Sequence, residues 1–513
     1  MQVTYNNEKL KTYKSKVIQK SYIKIMTDSI TTHSKRFTTL ICGLIMAFVS
    51  HLHAAELPDL GSPDLVEYDT TTEERLGWAF TSALHTHYDL NSDPDINTYI
   101  RKIGHEIASQ TGDRTPFKFY VINNPSINAF AGPNGIIGIH TGLVLAVKDE
   151  AELAAVIAHE IAHVTQKHLS RRHEFQSSQS NLTTIATLLA AVLIGIHEPS
   201  AVMPTLLGGM GFNIEQQLKN SRLHESEADH AGIKLLYQAG YNPHAMGDFF
   251  SRLSKESQYN EFQVPEILRS HPVTDRRISG AENRAQVMPT IQSKKVDNHL
   301  SLIQLKLQNA TQQPLTHYQT TPLSFDERCY QKNLQALSSP TINSAPNSLQ
   351  CLIKNIKQEP KHPLYTTLLV KLIIKHNLTP SELIHLALNQ SDLLLAIYPD
   401  NTAILLNYVE LLLYLNQELK AIELLNSKAD SKRYKRPAYQ KLSEIHATKN
   451  NQAEAYYFLA RSEYEIGNFK RANYLLQQAE SNLSNAQTAL KHKIEVFSRQ
   501  NNKLLKYKEI SNF

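Results

Sequence analysis

Two histidines and a glutamate in the first half of the chain have the types and the spacing of a metal-dependent hydrolytic site. They stand as His159-Glu160-Ile161-Ala162-His163, inside the stretch DEAELAAVIAHEIAHVTQKHL. On a helix, residues four apart share a face, so both imidazoles can bind one metal ion and Glu160 can reach a water beside it. A chance match is the alternative in a chain with 23 histidines. The apolar, capped helix around the motif and a carboxylate motif downstream favour a zinc peptidase site over a plain surface helix.

A zinc site of this type needs a third protein ligand, which leaves one coordination position for water. The stretch SRLHESEADHAG offers Glu225 and Asp229, which lie four residues apart and share a helix face. We take Glu225 as the third ligand. Glu227 is a weaker candidate because it points to another face of the helix, and we interpret His224 and His230 as surface histidines.

Periodicity and turn signals predict the elements that hold these residues. Asp149 is the expected N-cap of the motif helix, with Glu152 as its capping-box partner. The carboxylate helix is expected from about residue 216 to 239, ended by Gly240. Three short strands are predicted before the motif helix, over residues 117–122, 127–131 and 136–140. We expect the third strand, Ile136–His140, to be an edge strand along which an extended substrate lies.

The N-terminus has the order of charged and apolar residues found in a secretory signal. Eight Lys/Arg and two Asp/Glu occupy the first 36 residues, the apolar run Phe37–Val49 follows, and small residues suit cleavage near Ala55. We predict a signal peptide over residues 1–55, with translation from Met1 or Met26, and a retained membrane anchor is the alternative. This segment carries a net charge of +6, against +5 for the whole chain. The remaining chain is close to neutral, so we expect no nucleic-acid partner.

Two apolar segments follow the motif helix, Leu182–Ile196 and Ala201–Phe212. Neither reaches the length of a bilayer span. They are interpreted as a helical hairpin packed over the catalytic core, and a mobile flap that makes peripheral contact with a membrane surface is the alternative.

The predicted peptidase domain covers residues 56–290, after which the composition shifts toward Gln, Asn, Ser, Thr and Pro. Residues 291–324 are interpreted as a linker or as the start of a second domain. Residues 325–513 are predicted to be helical throughout. The stretch Ala455–Ala479 has the spacing of a tetratricopeptide helix pair, with small residues at the helix contact and Gly467 at the turn. An unrelated helical bundle is the alternative.

Two of the three cysteines lie beyond the predicted signal, Cys329 and Cys351. They fall on neighbouring predicted helices, and export would permit a disulfide. We expect them to pair, and two free buried cysteines are the alternative.

Four stretches carry a resemblance to a known family: TPFKFYVINNPSINAFAGPNGIIGIHTG, HEIAHVTQKHL, ESEADHAG and HPVTDRRI. Together with the domain order, they resemble the gluzincin metallopeptidases of the HtpX and CAAX-prenyl-endopeptidase superfamily, in particular its exported branch with C-terminal tetratricopeptide repeats. The resemblance implies an α+β fold: a mainly helical gluzincin domain with a small β-sheet, followed by an all-α repeat domain.

The resemblance also implies roles for individual residues around one Zn²⁺ per chain. His159, His163 and Glu225 would bind zinc, and Glu160 would be the general base. Asp229 would hydrogen-bond a ligating histidine and fix its tautomer. His271, which begins HPVTDRRI, would occupy the open zinc position and hold the enzyme inactive, although a helix-entry histidine is the alternative. Arg277 could bind substrate or form a structural ion pair, and the sequence does not separate the two.

By the same resemblance, the expected function is that of a periplasmic zinc metalloendopeptidase and chaperone in the quality control and assembly of outer-membrane β-barrel proteins. The expected partners are unfolded or stalled β-barrel proteins and, through the repeat domain, the β-barrel assembly machinery. The alternative is a tetratricopeptide scaffold or chaperone whose peptidase site is normally silent.

Overall fold

The structure is a computed structural model, and it describes eight stretches of the chain: residues 70–169, 171, 214–259, 265–290, 298–311, 322–339, 346–429 and 435–505. The predicted signal peptide and the two apolar segments after the motif helix lie outside these residues. The interpretation of those segments therefore stays a prediction.

The peptidase region combines eight helices with one small sheet over the residues described. Its helices are α1 Thr70–His87, α2 Pro94–Ala108, α3 Thr141–Ala146, α4 Glu150–Thr165, α5 Ile214–Gln238, α6 Ala245–Tyr259, α7 Glu266–Ser270 and α8 Asp275–Gln286. Its strands are β1 Lys118–Ile122, β2 Ala129–Ala131 and β3 Ile136–His140. Each of the three predicted strands forms, within two residues of its expected bounds.

Everything described after α8 is helical. The helices are α9 His299–Thr311, α10 Phe325–Ser338, α11 Pro346–Gln358, α12 Pro363–Lys375, α13 Ser381–Ile397, α14 Thr402–Tyr414, α15 Glu418–Ala429, α16 Lys435–Thr448, α17 Gln452–Glu465, α18 Phe469–Ser481 and α19 Thr488–Leu505. The predicted fold class is thereby confirmed as a mainly helical domain with a small sheet, followed by an all-helical region. Among the described helices, none combines the length and the apolar character needed to cross a membrane.

The strand order is β1-β3-β2, with β3 parallel to β1 and antiparallel to β2. The expectation that Ile136–His140 is an edge strand is therefore wrong, because β3 is the central strand. All five of its residues are buried, which is typical of a strand covered on both faces and paired on both sides. In this sheet the edges belong to β1 and β2.

Helix α4 lies at the centre of the peptidase region, against α2, α5, α6 and the sheet. Asp149 caps it by accepting the Glu152 N–H at 2.9 Å. The expected capping box is incomplete, since the Glu152 carboxylate accepts the Lys148 N–H at 2.7 Å and pairs with Arg252 instead of returning to Asp149. Every residue from Glu152 to Ala162 is buried, so the helix is held on all sides.

One hydrophobic core runs from the peptidase region into the helices that follow it. It extends from Ile96 of α2 to Leu411 of α14. Helix α9, in the region interpreted as a linker or a domain start, contributes the fully buried Leu302, Ile303 and Leu307. The domain limits at 290 and 325 stay predictions, and the core continues across both.

A buried ion-pair cluster joins the same helices. Lys306 of α9 donates to Asp93 at 2.9 Å and also to Asp95, and Lys371 of α12 approaches Asp93 at 3.4 Å. Burial raises the pKa of Asp95, but the two lysines outweigh it and lower that pKa to about 2. The pairing keeps the buried carboxylate charged, so the cluster fixes how α9 and α12 sit on the start of α2.

A disulfide joins α10 to α11. Cys329 and Cys351 are bonded across a Cα–Cα distance of 6.1 Å, which confirms the predicted pair. A cross-link closing a loop of this length stabilises a fold by about 3 kcal/mol, chiefly through the unfolded chain.

The last helices return to the peptidase region. Gly467 turns the chain between α17 and α18 with a φ of +79°, as its place in the repeat pattern predicted. A side chain there would lie 2.8 Å from the Trp78 carbonyl, so only glycine permits this approach. The Trp78 ring of α1 packs against Tyr464 and Phe469, with ring centroids 6.3 and 5.6 Å away. The helical region therefore contacts the peptidase region through both its first and its last helices.

Candidate metal centre

Two packed helices supply most of the site. Helix α4 carries the HEIAH motif, and α5 carries Glu225 and Asp229. A Cβ at Gly232 of α5 would lie 3.2 Å from both Cα and N of His159, so the missing side chain lets α5 approach the motif closely. The spacing of four within each helix then directs both pairs of side chains into the same gap.

Four residues converge in this gap. The Nε2 atoms of His159 and His163 lie 3.0 Å apart, and Glu225 oxygens lie 3.4 and 3.6 Å from them. Nδ1 of His271 lies 3.1 Å from Glu225 and 3.4 Å from Nε2 of His159. One donor atom from each residue fits within a 4.8 Å span. Two imidazole lone pairs and a carboxylate face one another here, and a bound cation would stabilise this arrangement. Zinc is the cation that prefers these ligands.

Glu160 is fully buried beside this cluster. Neither of its carboxylate oxygens has a hydrogen-bond partner among the described residues, and Oε1 lies 3.6 Å from Nε2 of His271. A buried carboxylate without a partner is costly. At this position it is placed to accept a proton from a water next to the metal ligands.

Asp229 supports His159 from behind. Its Oδ1 lies 3.1 Å from Nδ1 of His159, although the imidazole N–H does not point straight at it. Burial raises the pKa of Asp229, but hydrogen bonds from Arg277 and His159 outweigh it and hold that pKa below its usual value. A charged Asp229 keeps the proton of His159 on Nδ1 and leaves Nε2 free to bind metal. The role that the sequence predicted for Asp229, fixing the tautomer of a metal-binding histidine, stays a prediction.

Arg277 belongs to the structure of the site. It binds Asp229 with two hydrogen bonds of 2.7 Å, and its Nη1 lies 3.0 Å from both Glu225 and the Pro272 carbonyl. With only 8% of its surface exposed, the guanidinium has no face left for a substrate. Of the two roles that the sequence left open, the structure favours the ion pair. It also joins the two carboxylates of α5 to the chain beside His271.

His163 has a support of its own that sequence reasoning missed. Its Nδ1 lies 2.8 Å from Nδ1 of His168, whose Nε2 lies 3.0 Å from Glu227, and Glu227 also binds Arg171 at 2.6 Å. Burial lowers the pKa of His168 to about 4, so its ring is neutral. With one proton per ring, His163 donates to His168 and His168 donates to Glu227. This order leaves Nε2 of His163 free for the metal.

The rejected ligand candidates take other positions. Glu227 faces His168 and Arg171, as its different helix face predicted. His230 is exposed, as expected. His224 is not a surface histidine: it is buried and stacks on His168 with ring centroids 4.4 Å apart. The aromatic contact explains why this polar residue points inward.

The segment before His271 lies on the sheet edge next to the site. The backbone N–H of Ile267 in α7 donates to the Ile127 carbonyl at 3.0 Å, and the Asn128 amide donates to Glu266 at 2.8 Å. These contacts place α7 just before β2, and the chain after α7 brings His271 into the cluster. His271 is therefore near the metal ligands in this structure, as predicted.

Comparison with known proteins agrees with this geometry. The model of peptidase family M48 matches residues 94–285, which include every residue of the cluster and its supports. The chain carries a peptidase M48 domain. M48 peptidases depend on zinc, so the protein is a zinc metalloprotease, and the family resemblance read from the sequence is confirmed.

Several proteins are similar to the M48 domain or to a larger part of the chain. A putative beta-barrel assembly-enhancing protease of Vibrio cholerae is 36% identical over 51% of this chain, a match that covers 55% of the relative's own length. The beta-barrel assembly-enhancing protease of Escherichia coli is 29% identical over 86% of this chain and 91% of its own. The mitochondrial metalloendopeptidase OMA1 of Arabidopsis thaliana is 36% identical over 31% of this chain. The match to OMA1 covers a smaller part of the chain than the other two matches, and OMA1 is named as a metalloendopeptidase.

Proposed function

We propose that this metalloprotease works in the periplasm, in the quality control and assembly of outer-membrane β-barrel proteins, and that it also acts there as a chaperone. The observation that carries the proposal is the similarity to the E. coli beta-barrel assembly-enhancing protease, which spans 86% of this chain. A match of that extent includes the helical region as well as the M48 domain. The predicted signal peptide supports export to the same compartment.

In the proposed site, His159, His163 and Glu225 hold the zinc, and Glu160 is the general base. When bound, zinc acts as a Lewis acid that makes an adjacent water a nucleophile at neutral pH. Glu160 takes the proton from that water on a carboxylate oxygen and passes it to the leaving amine. Asp229 and Arg277 position His159, and they keep the negative charge of the α5 carboxylates balanced.

An extended substrate would lie along β2 rather than along β3. β2 is an edge strand of the sheet and packs against α4, which carries Glu160. Pairing through backbone hydrogen bonds requires an extended, unfolded segment and selects little among side chains. Unfolded or stalled β-barrel chains meet that requirement, and folded proteins do not.

The second candidate is a scaffold or chaperone whose peptidase site is normally silent. It is favoured by His271, which lies 3.1 Å from Glu225, and by α7, which occupies the sheet edge just before β2. We propose that at rest His271 would be a further ligand of the zinc and would keep a water away from Glu160. The two candidate functions then describe one protein in two states, with the metal site closed or open. The first candidate predicts that the metal site opens when substrate binds.

Cleavage by the zinc-loaded full chain separates the two candidates. We expect slow cleavage of a urea-denatured β-barrel protein and faster cleavage, including self-cleavage, after His271→Ala. His230→Ala removes an exposed histidine from α5 and is the matched control. Unchanged activity in His271→Ala would refute the proposed gate. If His271→Ala and the wild type both fail to cleave the denatured protein while still preventing its aggregation, the scaffold function stands alone.

Partner recognition is proposed to lie in residues 325–513. Truncation is an unsuitable test because the hydrophobic core crosses the boundary. Photo-crosslinking residues at the exposed Leu419 and Tyr474 should capture the β-barrel assembly machinery in cells, whereas the equally exposed Val287 near the M48 domain should not. Capture from Val287 with the same yield would place recognition in the peptidase region.

A further inference from the structure

A cavity of about 1490 Å³ lies between the peptidase region and the helical region. Its walls come from α2 and β1 on one side, and from the α11–α12 and α13–α14 turns, the start of α16 and the end of α17 on the other. Helix α2 separates it from the metal centre, since the buried side of α2 packs against α4. The metal ligands take no part in this cavity.

Four half-buried cations line it, and one of them, Lys435, is paired with Glu465. The other three are Arg101 of α2, Lys118 of β1 and Arg436 of α16. None of them has a carboxylate within ion-pair distance among the residues that the structure describes. Nε of Arg436 is buried without a hydrogen-bond partner. The Lys118 ammonium lies 4.6 Å above the Trp78 ring, which is a contact with an aromatic face and not with an anion.

Six lysines and arginines line the cavity, against four carboxylates, those of Glu106, Glu359, Asp400 and Glu465. Glu465 pairs with Lys435 at 3.7 Å. Glu463 accepts a hydrogen bond from Asn468 at 2.9 Å and lies 3.8 Å from Arg471. The positive charge of the wall is therefore only partly balanced by the chain itself.

His85, in the wall of the cavity, is exposed to the resulting positive potential. Burial, together with the smaller effects of the charges of Arg436 and Lys118, lowers the pKa of His85 to about 3. Burial likewise lowers the pKa values of Arg101 and Lys118. Nε2 of His85 is buried without a partner. These cations are partly desolvated and repel one another, a state that an anionic ligand would relieve.

Elsewhere the same chain neutralises its buried cations. Lys306 and Lys371 are paired with Asp93 and Asp95 in the cluster at the start of α2. The absence, in the described chain, of a carboxylate within ion-pair distance of Arg101 or Arg436 is therefore not general to this fold. Guanidinium groups suit planar anions such as carboxylates, which they bind through two hydrogen bonds.

The strand in the wall offers a second kind of contact. β1 is an edge strand, and the carbonyl of Val121 on its outer edge accepts the Asn91 N–H at 2.8 Å. Backbone groups two residues apart point to the same side of a strand, so those of Phe119 face the outer edge as well. Phe119 lines the cavity, and no other backbone pairs with its outer edge in the part of the chain that the structure describes. An extended segment can add to β1 there.

We propose that this cavity binds an extended acidic peptide segment, with its carboxylates on Arg101, Arg436 and Lys118 and its backbone along β1. The site is independent of peptide-bond cleavage at the metal centre. Acidic side chains and a C-terminal carboxylate present the same chemistry, and the size of the cavity accommodates several residues of peptide.

Fluorescence anisotropy on the full chain carrying Glu160→Gln, which prevents cleavage, tests the proposal. The probes are three labelled peptides of equal length: one with acidic side chains and a C-terminal amide, one neutral with a free C-terminal carboxylate, and one neutral amide. We expect at least one of the two carboxylate-bearing peptides to bind at least tenfold more tightly than the neutral amide. Whichever binds identifies the source of the anion. Equal binding of all three peptides would overturn the proposal.

Charge-removing variants locate the site. Arg101→Gln and Arg436→Gln should each weaken binding of the acidic peptide about tenfold. Lys234→Gln removes an exposed cation of α5 that does not line the cavity and should have little effect. An equal loss with Lys234→Gln would mean that nonspecific attraction accounts for the binding. Binding of anionic phosphatidylglycerol vesicles that depends on Arg101 and Arg436, without peptide binding, would assign the site to a lipid instead.

A test on the unaltered cavity guards against misfolded variants. Replacing alternate residues of the acidic peptide by proline removes backbone N–H donors while keeping every carboxylate. We expect this peptide to bind more weakly than its parent to the chain that carries Glu160→Gln alone. Equal affinity would refute the pairing along β1.

Discussion

The metal centre and the basic cavity lie on either side of α2, and each contains an arginine. The two arginines differ in whether the chain itself supplies a carboxylate partner. Arg277, in the metal centre, binds Asp229 twice and contacts Glu225 and the Pro272 carbonyl. Arg436, in the cavity, has no carboxylate within ion-pair distance among the described residues, and its Nε lacks a partner. The first arginine completes a structure that the chain holds by itself. Arg436 carries a charge that is left for a ligand to balance. The presence or absence of an internal carboxylate partner thus distinguishes a supporting arginine from one on a binding surface.

Glu160→Gln should have the largest effect, and on chemistry alone. Glu160 is the carboxylate of the metal centre that no hydrogen bond holds, so its loss removes no internal support. We expect kcat on a denatured protein to fall by about 10²–10⁴-fold, the usual contribution of a general base. Bound zinc, measured by atomic absorption, should stay at the wild-type level. Glu282→Gln, on the exposed side of α8, is the control, and loss of zinc in Glu160→Gln would show a ligand instead of a base.

Arg277→Met should have the largest effect on stability. It leaves Asp229 buried without its cation, which typically costs about 3–5 kcal/mol. Urea unfolding of the zinc-loaded protein measures this difference, with Arg276→Met, an exposed neighbour, as the control. An equal, small change in both variants would mean that Arg277 is not the support described here.

His168→Phe should weaken zinc binding by about 10–100-fold, the usual effect of removing a group that orients a metal ligand. The phenyl ring preserves the stack on His224 but cannot accept the proton of His163. Competition with a chelator measures the affinity, and His230→Phe is the matched exposed control. Glu227→Gln, which keeps an acceptor oxygen for His168, should have a smaller effect, and an equal loss in both would contradict the proposed order of donors.

Arg436→Met should have the smallest effect and sharpens the contrast with Arg277. The methionine keeps an apolar stem in the wall and removes a charge that no carboxylate of the described chain neutralises, so we expect the stability to change by less than about 1 kcal/mol, in either direction. Urea unfolding in parallel with Arg277→Met makes the comparison direct. A loss as large as that of Arg277→Met would reveal an internal partner and remove the argument for a ligand.

Much of the site could be predicted because it depends on local periodicity. The spacing of four in HEIAH and between Glu225 and Asp229 determines a shared helix face before any tertiary structure is known. The short strands and the cysteine pair were likewise indicated by local signals. What local signals do not contain is the order of strands in a sheet. The central position of β3 results from its parallel pairing with β1 across a long connection. In the sequence, only the lack of apolar–polar alternation over Ile136–Ile139 hinted at it.

The role of His168 escaped prediction for a different reason. On a continuous helix, residues five apart point in different directions, so His163 and His168 would not meet. Helix α4 ends at Thr165, and Lys167 adopts a left-handed conformation with a φ of +52°. That turn brings His168 back to Nδ1 of His163. The sequence HVTQKHL gave no clear stop signal, so the helix end and the contact that depends on it could not be foreseen.

The backbone bond between Ile267 and Ile127 has a consequence for which substrates can reach the metal centre. Residues 265–271 belong to the same chain as the sheet edge they cover, so they compete with substrate at an effective concentration that does not fall on dilution, typically millimolar for a short tether. A short peptide at micromolar concentration loses that competition. A long unfolded chain presents many segments at once. A second contact between that chain and the protease raises the local concentration of its segments at β2. The protease would therefore select among substrates by their length and by how long they stay bound. Contacts with individual substrate side chains would matter only after that.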